Sequence, residues 1–179
     1  MSANFSDEAY REAVKQNYGF SEWAGRTKEG DRNVRVSDFD FDVRVRAMAN
    51  FDVLERQDLT PASRQNRATR FTCVYPSKAT RRIITTVFEC KSVDDAHETL
   101  IDVVMTYMAR KLPRCETTGL TIGDICFGSH GEVNLSVIFA RFNILVEIKS
   151  ATPGPTSVDD FARTIDELIL NRFRTQAPG

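Results

Sequence analysis

The most reactive side chains in the sequence lie close together at Asp124, Cys126, Ser129 and His130. A cysteine or serine nucleophile with a histidine base is the arrangement that acyl-transfer enzymes use. That chemistry requires side chains that converge in space with a third group to orient the base, and neighbours on one turn do not supply this geometry. There is no Gly-x-Ser-x-Gly motif, and a polar turn at 128–131 accounts for the pattern. We therefore predict no catalytic residues and keep Asp124, Cys126 and His130 as pocket candidates only.

The patterns that would bind a metal or cofactor are incomplete. The cysteines, Cys73, Cys90, Cys115 and Cys126, form no CxxC pair and no zinc-ribbon spacing. Asp38, Asp40 and Asp42 alternate along one predicted strand, but the glycine-containing loop of a calcium-binding hand is missing. No glycine-rich phosphate loop followed by Lys-Ser/Thr is present. We predict neither a metal site nor a cofactor.

The most distinctive charge feature is the stretch from Leu59 to Phe88, which contains no acidic residue. Its basic residues are Arg64, Arg67, Arg70, Lys78, Arg81 and Arg82, with Phe71 and Tyr75 between them. Basic groups bind phosphates and aromatic faces stack on bases, so this stretch predicts, as an alternative function, binding of an anionic ligand or nucleic acid. A net charge of −1 argues against nucleic acid as the main partner.

The 179 residues are enough for one domain with its own core, and 41% hydrophobic with 27% charged residues is typical of a globular protein. No apolar run is long enough to cross a bilayer, so we expect no membrane association. The N-terminus has no basic segment followed by an apolar one, which predicts a cytoplasmic protein with reduced thiols. If the protein is instead exported and its signal peptide has been removed, a Cys115–Cys126 bridge becomes the main alternative.

Hydrophobic periodicity predicts an α+β fold built on a mostly antiparallel sheet of five to seven strands. The clearest element is a β-hairpin over Val133–Ile148 that turns at Arg141-Phe142-Asn143. Other predicted strands lie near Val34–Arg46, Thr69–Tyr75, Arg82–Cys90 and Leu120–Phe127. Two amphipathic helices, Ser92–Leu112 and Ser157–Phe173, are predicted to pack on one sheet face, and a short helix precedes Gly19.

The predicted domain organisation is an extension over residues 1–67 and an α+β core over residues 68–174, together forming one compact domain. The openings Ser92-Val93-Asp94-Asp95 and Ser157-Val158-Asp159-Asp160 are similar, and each follows a pair of strands. They are compatible with a duplicated strand–strand–helix unit, or with independent use of good N-terminal capping residues. His97, among Asp94, Glu98 and Asp102, is interpreted as a surface residue paired with acids.

The leading functional hypothesis is a non-catalytic binding or protein-interaction protein. Its predicted contact residues are Phe142, exposed at the hairpin tip, and Arg141 beside it. The expected partner is another protein or a small ligand, and a homodimer is compatible with the pattern. The alternative is a small enzyme or ligand carrier with a pocket between sheet and helices.

Overall fold

The computed structural model describes residues 7–24, 34–35, 41, 45–46, 51–59, 66–75, 78–107, 111–151 and 156–175. Its centre is a six-stranded sheet in which neighbouring strands are antiparallel. The elements in chain order are α1 (Asp7–Asn17), α2 (Phe20–Trp23), β1 (Asp52–Leu59), β2 (Arg67–Tyr75), β3 (Lys78–Glu89), α3 (Val93–Thr106), a 3-10 helix (Cys115–Thr118), β4 (Ile125–Gly128), β5 (Ser136–Arg141), β6 (Ile144–Ser150) and α4 (Asp159–Thr175).

The strand order is β1-β2-β3-β6-β5-β4. Two hairpins, β2–β3 and β5–β6, therefore meet along the β3–β6 pairing at the middle of the sheet, with Val87 opposite Val146. β1 and β4 are the edge strands among the described strands. β1 comes from the predicted extension but belongs to the same sheet as the core.

The two faces of the sheet are covered by different helices. In β5, Val137 and Phe139 belong to one buried cluster together with α4, whereas Ile138 and Ala140 belong to a second cluster together with α3. Alternate strand residues point to opposite faces. We call these the α4 face and the α3 face. The sheet is thus the central layer between α3 and α4.

The α+β class and the antiparallel sheet of five to seven strands are confirmed. The prediction that both main helices pack on one face is wrong, because α3 and α4 lie on opposite faces. Each apolar stripe shows that its helix has a buried side, but a stripe does not specify which face of the sheet it contacts.

The starts of the helices agree with their capping residues. Ser92 accepts a hydrogen bond from the backbone N–H of Asp95, and Ser157 accepts one from Asp159. Such caps satisfy backbone donors that have no partner within the helix. The end of α3 differs from the prediction, since the helix stops at Thr106 rather than at Leu112.

The strand predicted over Val34–Arg46 falls mostly outside the described residues. At Phe41, Val45 and Arg46, which are described, the backbone is helical and the strand prediction is wrong. Phe41 and Val45 are both buried. Phe41 stacks on Phe71 of β2 with ring centroids 3.8 Å apart.

The hairpin at Arg141-Phe142-Asn143 is confirmed, but its details differ from the prediction. Phe142, rather than Asn143, has the positive φ, at 54°. The Asn143 side chain instead forms hydrogen bonds with both backbone groups of Val34 and with the carbonyl oxygen of Cys90. This buried amide connects the turn to the N-terminal segment and to the end of β3.

Candidate functional site

The α3 face carries polar side chains where it extends over β1, β2 and β3. α3 packs over β5 and β6. We call the exposed and half-exposed side chains on the other three strands the open face. They are Glu55, Gln57, Arg70, Thr72, Arg82 and Ile84.

The strand register places the residues of the open face in two cross-strand rows. In the first, Gln57, Arg70, Thr86 and Glu147 lie opposite one another in turn. In the second, the order is Glu55, Thr72, Ile84 and Lys149. Neighbouring strands are about 4.8 Å apart, so the rows form a continuous surface about 15 Å wide. Each row contains one basic and one acidic residue.

The border between the open face and α3 is a cluster of Tyr107, Glu147 and Lys149. The Tyr107 hydroxyl donates a hydrogen bond to Glu147 Oε1 at 2.7 Å. Lys149 Nζ lies 2.8 Å from the same oxygen and 4.8 Å from the centre of the Tyr107 ring. The tyrosine is thereby held by a carboxylate and an ammonium group from the same strand.

The electrostatics of this cluster keep Tyr107 protonated. Burial, together with the charge of Glu147 and its hydrogen bond, raises the pKa of Tyr107 far above its ordinary value of 10.0. The phenol therefore remains a hydrogen-bond donor at neutral pH and does not act as a base. The cluster can contribute fixed donors and charges to recognition of a polar partner.

The predicted basic residues are divided between the two faces of the sheet. Arg70 and Arg82 are exposed on the open face. Arg67 lies opposite Glu89 in the register of the other face, and the Arg81 guanidinium lies 5.6 Å from the centre of the Tyr75 ring. Arg64 lies outside the described residues. The stretch therefore does not form one basic surface from its described arginines.

The predicted contact pair at the hairpin tip is internal. The prediction that Phe142 is exposed is wrong, because its side chain is 3% exposed and belongs to the cluster on the α4 face. Arg141 donates two hydrogen bonds to the two carboxylate oxygens of Asp166 on α4, each at 2.8 Å. It donates a third to Asp124 at 3.1 Å. These contacts attach α4 and the segment before β4 to the hairpin.

The three pocket candidates have separate structural surroundings. Asp124 accepts hydrogen bonds from Arg141 and from the backbone N–H of Phe142. Cys126 is bonded to Cys115, with an S–S distance of 2.04 Å, and His130 is exposed on a turn. The expectation of reduced thiols is wrong for this pair of cysteines. Cys73 and Cys90 are not disulfide-bonded, and both are buried.

Two further predictions about titratable residues have outcomes in the structure. His97 is not a surface residue, since it is 1% exposed. Asp38, Asp40 and Asp42 lie outside the described residues. Within the part of the chain that is described, no group of three or more His, Cys, Asp or Glu side chains could hold a metal ion. In the same ranges, no helix has the length and apolarity needed to cross a bilayer.

Sequence reasoning missed Tyr107, Glu147 and Lys149, although a signal for two of them was present. In the second strand of the predicted hairpin, Ile144, Val146 and Ile148 alternate with other residues and so define its buried face. The alternate positions, Glu147 and Lys149, are charged and must face the other side of the sheet. Tyr107 lies within the predicted helix Ser92–Leu112, but the helix in fact ends at Thr106.

Comparison with known proteins gives no relative from which a role could be transferred. No known protein family matches the chain, and neither the curated proteins nor the solved structures contain a match. The function must therefore be argued from the geometry of the open face and its border.

Proposed function

We propose that this protein is a non-catalytic binding protein that recognises another protein through the open face. The observation that carries this proposal is the contrast between the open face and the rest of the sheet. α4 covers β5 and β6 on one side and α3 covers them on the other, whereas Glu55, Gln57, Arg70 and Arg82 remain exposed.

The charge pattern of the open face supports a protein partner rather than a polyanion. Arg70 and Arg82 are accompanied by Glu55 on the same face, and Lys149 is accompanied by Glu147. Mixed charges match a partner that itself carries both signs, and they set orientation and specificity more than affinity. A polyanion such as nucleic acid would instead favour a surface of one sign.

The partner can also be a second copy of this chain, in keeping with the prediction of a homodimer. β1 is an edge strand beside the open face, and Leu54 on it is 55% exposed. A symmetric dimer would place the same surface of each protomer in contact. The solution mass, measured by analytical ultracentrifugation, distinguishes this case from a different partner.

The experiment compares Arg70→Glu with Arg163→Glu. Both arginines are exposed, but Arg163 lies on α4 and Arg70 lies on the open face. Proteins retained from an extract of the source cells by the wild type are identified, and their affinities for each variant are then measured. We expect Arg70→Glu to weaken binding about tenfold or more, because it reverses the charge that the open face presents to the partner at this position. Arg163→Glu should leave binding unchanged.

Two outcomes would refute the proposal. One is a wild-type protein that is strictly monomeric and retains nothing. The other is a partner whose affinity falls equally in the two variants, since its binding surface would then lie elsewhere.

For the cellular compartment, we propose the exported alternative. The Cys115–Cys126 disulfide favours it, because such bonds persist in oxidising compartments and are reduced in the cytosol. Counting free thiols in protein isolated directly from source cells tests this assignment. Two thiols are expected after denaturation, because Cys73 and Cys90 are not disulfide-bonded, whereas four would contradict the assignment.

A further inference from the structure

His97 lies in an environment that is unusual for a polar side chain. It is 1% exposed, and neither of its ring nitrogens has a hydrogen-bond partner among the described residues. Its ring meets the edge of the Trp23 indole, with ring centroids 5.3 Å apart and an interplanar angle of 80°. Buried polar groups usually have partners, so an imidazole with both nitrogens unpaired requires an explanation. Burying the neutral imidazole at this position costs much less free energy than burying the imidazolium without a hydrogen-bond partner.

The group that covers His97 is the N-terminal arm, which we define as residues 7–24. The arm packs on α3 and β4 through aromatic side chains. The Tyr18 ring lies 5.0 Å from that of Phe127, and the Trp23 ring lies 6.2 Å from it. Tyr18 also accepts a hydrogen bond from the backbone N–H of Leu112 at 3.0 Å.

The rim of the arm is held by ion pairs with α3. Arg11 pairs with Glu98 and Asp102, and Lys15 pairs with Glu98 at 3.0 Å. Burial alone would raise the pKa of Glu98, but its hydrogen bonds to Lys15 and Arg11 outweigh burial and lower the pKa below 4.5. The arm thus presents positive charge to an acidic strip of α3, and His97 lies on the same helix next to Glu98.

We propose that the N-terminal arm is an acid-sensitive strap, which protonation of His97 releases from α3 while the sheet remains folded. In the docked state an imidazolium at this position would lie unsolvated under Trp23, with neither ring N–H paired within the described part of the chain. Once the arm has moved away, water solvates the same imidazolium. It also keeps the attraction of the acids that face it, which are Asp94 and Glu98 on α3 and Asp124 before β4.

The direction of the pKa shift agrees with this mechanism. Burial lowers the pKa of His97 below its ordinary value of 6.5, and the charges of Asp124, Asp94 and Glu98 oppose this only in part. The released state therefore binds the proton more readily than the docked state. Docking is fully favoured above pH 6.5, and it weakens as the pH falls below that value. The Glu98 ion pairs are lost in a separate window below pH 4.5.

The single tryptophan of the chain reports directly on this contact. The emission maximum of Trp23 is measured from about pH 8 to about pH 5; intensity is a poorer readout, because a protonated imidazole can itself quench an indole. We expect a red shift that begins near pH 6.5, with the docking equilibrium weakened by up to about tenfold at pH 5.5. His97→Phe, which keeps an aromatic ring against Trp23, should abolish the shift.

The matched control is His130→Gln. The chain has only two histidines, and His130 is exposed on a turn, so this variant should show the wild-type transition. A transition that persists in His97→Phe, or that disappears in His130→Gln, would overturn the proposal.

Hydrogen exchange of the wild-type protein provides a second test that needs no variant. At about pH 5.5, residues 7–24 should lose protection relative to about pH 7.5, after correction for the intrinsic rate, while β5 and β6 keep theirs. Equal protection of the arm at both values would refute the strap, and so would simultaneous loss of protection in the arm and in the sheet.

Discussion

The two halves of the sheet differ in what covers them. β5 and β6 are packed between α3 and α4, and their residues Val137–Ala140 and Ile144–Val146 are all buried. β1 is exposed from Leu54 to Asp58 and pairs with only one described strand. The half with β5 and β6 therefore resembles the middle layer of a three-layer domain. The half with β1 exposes part of its surface to solvent.

This difference separates stability from recognition within one sheet. Burial of apolar area and paired charges stabilises the β4–β5–β6 half. The polar rows of the open face contribute little to stability, because substitutions of exposed residues usually change it only slightly. The comparison predicts large effects of substitutions at the buried positions of β4, β5 and β6 and small ones on the open face.

The largest effect is expected for Phe139→Ala. Phe139 is fully buried on the α4 face, and removing its ring leaves a cavity that should cost about 3–5 kcal/mol of unfolding free energy. Leu54→Ala on β1 is the matched truncation and should change stability by less than about 0.5 kcal/mol. Urea unfolding followed by circular dichroism measures both. Comparable losses in the two variants would mean that the two halves are equally packed.

The second effect concerns the buried charges at the hairpin. Asp166→Asn removes the buried carboxylate that accepts two hydrogen bonds from Arg141 and should cost about 3 kcal/mol, because the half-buried guanidinium then loses its charged partner. Glu167→Gln, at the exposed neighbouring position, should be neutral within about 0.5 kcal/mol. If the unfolding curves of these two variants coincide, Arg141 does not depend on Asp166.

The third effect concerns the edge strand of the covered half. Cys115 and Cys126 close a short loop, with a sequence separation of 11, that attaches β4 to the 3-10 helix. Replacing both by Ser should cost about 2–4 kcal/mol. Reductant added to the wild type should lower the unfolding midpoint in the same direction, with no such change in the double variant. If reductant leaves the unfolding midpoint of the wild type unchanged, the disulfide does not contribute to stability.

The smallest stability effect is expected on the open face. Arg70→Ala and Gln57→Ala should each change the free energy of unfolding by less than about 0.5 kcal/mol, since both side chains are exposed. Measuring the unfolding of Arg70→Glu in the same way tests whether a weakened affinity of that variant can be attributed to unfolding. A loss above about 1 kcal/mol would show that these residues support the sheet.

Sequence reasoning succeeded where the determining interactions are local. Ser92 and Ser157 cap the helices that follow them, and the alternation over Val137–Arg141 and Ile144–Ile148 predicts the central hairpin. These features depend on residues a few positions apart. The mostly antiparallel arrangement followed from the order of the same elements.

It failed where the determining partner is distant in sequence. Phe142 was expected to be exposed because it lies at a hairpin tip, but it belongs to the same buried cluster as α4 and Val34. His97 was expected at the surface because acids surround it in sequence, but Trp23 covers it. Arg141 was assigned to binding because it lies beside Phe142, but it pairs with Asp166 on α4, 25 residues further along the chain.

The pairing of β3 with β6 has a consequence for how the chain folds. Each hairpin, β2–β3 and β5–β6, can form from contacts between residues near one another in sequence. Joining them brings Phe88 next to Leu145 and closes a long intervening loop that contains α3 and β4. Contacts of this separation are slow to form, because the entropy of loop closure is lost before they are made. We therefore expect the pairing of the two hairpins to limit the folding rate. α3 and α4 should pack on opposite faces of the sheet only after this pairing has occurred.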